Sequence, residues 1–200
     1  MVKSDHPTIQ EYNFLELAYA RFEKIWQIYT KGDFYAQSAE YRFFCLKDAF
    51  SIYSEVITYQ PLRGYLSGLE IAKNNHWDIL NVDLPKVVRN IILHFPFFTK
   101  WEDVYINKAL ATWNNPNSTI DKFFEKHKGA ESIIIHAETE MNPSYEIRIH
   151  FPAQYNYITN IYLKDIINEE TGIDLFLTLM KTAMFSQLEM LKKSPHHKPI

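Results

Sequence analysis

From Thr8 to Thr30 the residues Tyr12, Leu15, Tyr19, Phe22, Trp26 and Tyr29 recur at intervals of three and four. That spacing matches the 3.6-residue period of an α-helix, so the segment predicts a long amphipathic helix with one aromatic-rich face. Such a face must be covered. A second run, from about Phe34 to Tyr59, offers the cover: Ala36, Ala39, Phe43, Leu46, Phe50, Tyr53 and Ile57 repeat the same pattern. Only Lys31-Gly32-Asp33 separates the two. So short a break turns the chain back on itself, and the two runs are expected to form an antiparallel helical hairpin.

The elements that follow are shorter. Gln60-Pro61 closes the second helix, and a short helix is expected near Ser67 to Asn74. Asp83-Leu84-Pro85 then has the form of a helix start, with an N-cap carboxylate and a proline in the first turn, and Pro96 stops that helix just past His94. Thr99-Lys100-Trp101-Glu102 has capping-box form and opens an expected helix to about Asn114, with Val104, Ile106, Ala109, Leu110 and Trp113 on one face. Ser118-Thr119-Ile120-Asp121 opens another, which Gly129 should terminate.

The period then changes from helical to alternating. Ser132 to Thr139 and Tyr145 to Phe151 flank Met141-Asn142-Pro143-Ser144 and predict a β-hairpin, to which Tyr157 to Lys164 adds a third strand. If Glu140 pairs with Glu146, His136 lies opposite His150 and Glu138 opposite Arg148. Thr171-Gly172-Ile173-Asp174 caps a last helix that runs to Pro195 with Leu175, Leu179, Ala183, Leu188 and Leu191 inward. The expected fold is therefore mainly α, of α+β class: one domain, with a helical part over 1–128 and a β-hairpin plus long final helix over 129–200.

Composition narrows the function classes. With 46% hydrophobic residues, 14 Phe and 13 Tyr against only 5 Gly, the chain can bury one good core and favours long regular elements. A net charge of −3 gives no broad basic field for gripping a nucleic-acid backbone, so any such contact must be local. The single cysteine, Cys45, sits among Phe43, Phe44 and Leu46 and reads as a buried, inert thiol. No apolar run approaches the roughly 20 residues of a membrane span, and the N-terminus lacks a signal-peptide core, so no membrane partner and a cytoplasmic location are expected.

Chemistry concentrates on the helix between Asp83 and Pro96. Arg89, Asn90 and His94 stand there among Val87, Val88, Ile91, Ile92 and Leu93. Asn90 and His94 are four apart and share a face, while Arg89 lies farther round with the longest reach. Histidine exchanges protons near neutral pH, and arginine offers a fixed planar cation that can hold two phosphate oxygens at once. Asn90 can hydrogen-bond a phosphate or set the histidine tautomer. The plain alternative is structural: Arg89 pairs with an acidic neighbour and His94 donates to a helix-end carbonyl. A runner-up site is the hairpin, where His136, Glu138, Arg148 and His150 could ligate a metal or bind an anion, or simply face solvent. Phe95, Phe97, Phe98 and Trp101 offer either stacking surfaces for bases or core residues. His196-His197 reads as a frayed tail.

Arg89-Asn90-x-x-x-His94 resembles the Arg-x(4–6)-His signature of the HEPN superfamily, in which a small polar residue often follows the arginine. Its position after two long helices, and the downstream Phe95-Pro96-Phe97-Phe98 and Trp101-Glu102-Asp103-Val104, look like a plasmid- and defence-associated branch. The likeness covers about the first half of the chain. It implies a helical domain, a metal- and cofactor-independent endoribonuclease that acts on RNA as a homodimer, and catalytic roles for Arg89, Asn90 and His94. It also implies a toxin or defence effector, with an inhibitor or antitoxin protein as a partner. Without catalysis, the same helix would serve a nucleotide- or protein-binding module.

Overall fold

The computed structural model describes residues 8–58, 84–112, 118–127, 132–137, 145–150 and 160–192. The fold is mainly α with small antiparallel β pieces. Helix α1, Ile9–Tyr29, starts in a capping box: the Thr8 hydroxyl accepts from the Glu11 amide at 3.2 Å, and the Glu11 carboxylate accepts from the Thr8 amide at 2.7 Å. Its inner face is Leu15, Ala18, Phe22, Trp26 and Tyr29, all buried, with Tyr12 and Tyr19 at the margin.

The antiparallel hairpin forms, but the second helix begins later than its apolar pattern suggests. Phe34–Ala36 is a turn of 3-10 helix, Gln37 is extended, and α2 runs Ala39–Thr58 with the Ser38 hydroxyl accepting from the Tyr41 amide at 3.2 Å. Cap chemistry thus overrides periodicity at this boundary. The rim is held by Arg42, whose Nε and Nη2 donate to the two Glu169 carboxylate oxygens at 2.9 Å each and whose Nη1 donates to the Tyr35 and Gln37 carbonyls. Two planar groups matched in this way give both strength and direction. They fasten the hairpin turn to the last helix.

Helix α3, Leu84–His94, packs on α2 and on the helix Thr119–His127. The expected single helix from Thr99 to Asn114 is instead three pieces: 3-10 turn Trp101–Asp103, strand β1 Tyr105–Ile106 and α4 Lys108–Thr112. Tertiary partners account for the break. Trp101 is buried with its indole N–H donating to the Ile167 carbonyl at 3.1 Å, and the Val104 carbonyl accepts from the Leu163 amide at 2.9 Å. The real helix start is Asn107, whose side chain accepts from the Leu110 amide at 3.0 Å. Helix α5, Thr119–His127, follows the expected Ser118 cap, with Ser118 Oγ accepting from the Asp121 amide at 3.0 Å.

Strands β2, Ser132–Ala137, and β3, Tyr145–His150, form the expected hairpin in a different register. Ile133 pairs with Ile149, Ile135 with Ile147, and His136 with Glu146. This alignment sets isoleucine against isoleucine, a favoured β-branched cross-strand pairing, where the expected one opposed Ala137 to Ile149. Of the expected third strand, Tyr157 to Lys164, the first three residues lie outside the described residues, and among the described ones β4, Ile161–Tyr162, pairs with β1 and not with the hairpin. After α6, Leu163–Ile166, the last helix α7 spans Glu169–Lys192. It starts before the expected Thr171 cap, because Asn168 accepts from the Thr171 amide at 2.9 Å. Gly172 therefore lies inside the helix, against Trp101.

One contiguous core joins these helices. The α1, α2 and α7 faces meet around Phe22, Phe43, Phe50 and Phe176, and α3 closes the side through Val88 and Ile92. Cys45 is buried there, and burial pushes its thiol pKa up, the setting of an inert side chain. The Ser67–Asn74 helix, the Asp83 cap, Gly129 and His196-His197 fall outside the described residues.

Candidate functional site

The rotation of α3 follows from its apolar residues. Leu84, Val87, Val88, Ile91 and Ile92 recur at three and one, the spacing of a single stripe, and all are buried. With that stripe turned inward, Arg89 and Asn90 fall at its margin and are half-buried, while His94 is exposed. The helix ends at His94; Phe95 makes the last backbone bond of the turn, to the Ile91 carbonyl at 3.1 Å, and Pro96 ends the run. His94 thus occupies the last turn, where a helix C-terminus favours positive charge.

Arg89 and Asn90 are joined directly. The guanidinium folds across the helix so that Nε and Nη2 donate to the Asn90 side-chain oxygen at 3.2 and 2.8 Å. This brings the cation from its own side of the helix toward the face that Asn90 shares with His94. Among the described residues, Arg89 makes no ion pair and His94 no side-chain hydrogen bond, so neither half of the plain structural alternative holds among them. Among the described residues the half-buried guanidinium is held by an amide and not by a carboxylate. Burial accordingly pushes the Arg89 pKa down from its ordinary value.

Among the described residues, Tyr53 on the half-buried margin of α2 acts electrostatically on Arg89. Burial raises the Tyr53 phenol pKa, and the guanidinium opposes that rise. The acidic residues on the same stretch of α2 are turned elsewhere: Asp48 is exposed, and Glu55 is taken by Arg21 at 2.7 Å on the α1 side. The sequence does not single out Tyr53 as a neighbour of Arg89. It appeared only as one position in the apolar row of the second helix.

The neighbouring aromatics divide. Phe95, Phe98 and Trp101 are core residues, whereas Phe97 is 57% exposed and stacks tilted on Phe98 with ring centroids 4.4 Å apart. Phe97 is the member of that group still available to a flat partner. The inner side of α3 borders a small, mainly apolar cleft lined by Leu84, Val88, Ile91, Phe123 and Ile166, with Tyr105 the one lining residue that carries a polar group. The polar side chains Arg89, Asn90 and His94 lie on the outer side of α3, away from this cleft.

The hairpin does not assemble the runner-up constellation. His150 stands opposite Ser132 and His136 opposite Glu146, so the two histidines are four register positions apart, about 13 Å along the ladder. Arg148 pairs with Ile134 rather than Glu138, which lies outside the described residues.

Comparison with known proteins returns no matching family model, no matching curated protein and no matching solved structure. No helix among the described residues is long and apolar enough to cross a membrane.

Proposed function

We propose that this protein is a HEPN-like, metal-independent endoribonuclease whose active face is the outer margin of α3. The observation that supports this reading is the Arg89 guanidinium, tethered by Asn90 and, among the described residues, paired with no carboxylate, on the same short helix as an exposed His94. In the proposed reaction His94 accepts the proton of a ribose 2′-hydroxyl, and the freed oxygen attacks the adjacent phosphorus. The bond to the 5′-oxygen breaks, and that oxygen leaves with a proton from a second imidazolium. Arg89 balances the charge gathering on the phosphate oxygens in the crowded transition state. Asn90 holds the guanidinium in place.

One copy supplies one such histidine, so the proposal includes a homodimer that brings the second copy's His94 to the same cleft. The substrate is RNA, bound locally because a chain of net charge −3 offers no extended basic track. In the cell this reading fits a cytoplasmic toxin or defence effector restrained by an inhibitor or antitoxin protein.

Cleavage of total RNA and tRNA in EDTA, by wild type and by the folded Arg89→Ala and His94→Ala variants, tests the proposal. Activity that persists in EDTA and drops at least a hundredfold in both variants supports it. An inactive wild type refutes it and leaves a non-catalytic nucleotide- or protein-binding module. Activity that survives either substitution also refutes it.

A further inference from the structure

A file of aromatic rings leads away from the C-terminal end of α3. Phe97 follows His94 by three residues, so their Cα atoms stand at most about 11 Å apart. The Phe97 ring, 57% exposed, rests on Phe98 with centroids 4.4 Å apart. Phe98 is buried and meets Tyr105 edge-on at 5.3 Å, and Tyr105 in turn meets Tyr162 at 5.9 Å. The strand ladder fixes this last contact: Tyr105 pairs with Tyr162 on one face of the β1–β4 sheet, while Ile106 and Ile161, paired on the other, are buried in the core. Tyr105 and Tyr162 are half-buried, so both keep some surface in water, as Phe97 does. The file ends on a cation, for the exposed Lys164 places its ammonium 5.2 Å from the centre of the Tyr162 ring.

We propose that Phe97, Tyr105 and Tyr162 form a stacking surface for the unpaired bases of single-stranded RNA, with Lys164 on a backbone phosphate beside them. The ligand follows from the combined chemistry. A base is apolar on its faces and polar at its edges, and it is strung to an anionic phosphate. Aromatic rings, two of them ending in hydroxyls, with an ammonium at one end of the file, meet all three features. Phe98 backs Phe97 and Tyr105, so these rings are held in place before a base arrives and less order is lost on binding. Positive charge here is local: Lys100 is drawn to Asp103 at 3.7 Å, and Glu102 and Asp165 are exposed close by in the chain. Such a surface suits a strand gripped by its bases better than a duplex, which hides its base faces and offers mainly phosphate. This inference rests on the nuclease reading for its biological substrate and extends it, laying the bases that flank the cut along the file; binding is measured apart from cleavage.

The test uses the full chain and a short fluorescent RNA whose 2′-oxygens are methylated, so that it binds without being cut, offered as a single strand and as a duplex. Anisotropy gives Kd, and melting temperatures show that each variant is folded. Phe97→Leu keeps an apolar side chain but removes the ring, Phe97→Trp keeps a ring, and Phe185→Leu alters an exposed phenylalanine on α7, outside the file. Wild type is expected to bind the single strand more tightly than the duplex. Phe97→Leu should weaken that binding about tenfold, the scale of one stacked base, while Phe97→Trp and Phe185→Leu bind like wild type. Lys164→Ala should lower the slope of log K against log salt by about 0.7, one phosphate contact on a single strand. If this pattern is found in a protein that cuts no RNA, the stacking surface stands and the nuclease reading falls. If unmodified RNA is cut through Arg89 and His94 while Phe97→Leu binds and cuts like wild type, this inference is overturned and the nuclease reading stands. Wild type that binds no single strand, or binds the duplex as tightly, overturns it too, as does equal weakening by Phe97→Leu and Phe97→Trp.

Discussion

Gly172 is a position where helix propensity and packing give opposite answers, and the structure decides between them. Replacing a glycine inside a helix by alanine ordinarily stabilises by about 1 kcal/mol. Here, a Cβ at residue 172 would stand 2.4 Å from Trp101 Cη2 and 2.6 Å from Cζ2. Trp101 is 1% exposed and is pinned by its indole hydrogen bond to the Ile167 carbonyl, so the ring cannot swing aside without breaking that bond. Overpacking a rigid site costs about 1–3 kcal/mol, and two ring carbons inside 3 Å place this one near the upper end. Set against the propensity gain, Gly172→Ala should destabilise by about 2 kcal/mol. For a chain of this size that lowers Tm by roughly 4–8 °C. Thermal and urea unfolding measure it directly, and a double-mutant cycle identifies the cause. In a Trp101→Phe background the outer edge of the indole is gone, and the alanine should cost at least about 1 kcal/mol less. A Gly172→Ala protein as stable as wild type, or no coupling in the cycle, would refute the close approach.

Two further outcomes are expected. Tyr29 and Asp174 are both buried and share a 2.5 Å hydrogen bond, so Tyr29→Phe leaves a buried carboxylate short of its donor and should destabilise by about 2 kcal/mol in urea; a change under about 0.5 kcal/mol would show the bond to be dispensable. The phenols of Tyr12, Tyr35 and Tyr53 are all held above the ordinary tyrosine range, Tyr12 at about 12, mainly by burial and, for Tyr12 and Tyr35, also by neighbouring carboxylates. A raised folded pKa makes the stability contribution whole below the unfolded value near 10 and progressively lost above it. Tyrosinate absorbance should therefore show a class that ionises late, with the tyrosines' contribution to unfolding stability whole below pH 10 and falling from there; ionisation of every tyrosine near pH 10 in the folded protein would contradict this.

Where the sequence was legible, a local signal and the tertiary structure agreed. The three-and-four spacing in α1 marks the face that packs, and Ser118 caps α5 as its sequence suggests. Where they parted, a partner distant in the chain decided. The pattern from Thr99 to Asn114 is helical taken alone, yet Leu163 and Ile167 claim the backbone and the indole there, and no window of local residues contains them. Asn168 outcompetes Thr171 as a cap because it stands one turn earlier and meets the same need. The hairpin register depends on how much of the connection pairs, and the matching of isoleucines across the strands outweighs the tighter turn.

The candidate site divides along the same line. Arg89, Asn90 and His94 can be singled out from one helix, because polar residues within an apolar stripe require an account. That Arg89 bonds Asn90, and that Tyr53 on α2 acts on it electrostatically, depends on how the helices fold and pack. Tyr53 carries no local signal, since a tyrosine in an amphipathic row reads as a core residue.

The central claim is that this helix directs a ribose 2′-hydroxyl at its neighbouring phosphate. Incubating the protein in EDTA with an RNA and with the same sequence lacking every 2′-hydroxyl tests that claim most directly. The account predicts that the RNA is cut, leaving 2′,3′-cyclic phosphate and 5′-hydroxyl ends, and that the deoxy strand is untouched. Cutting of both strands, or of neither, would contradict it.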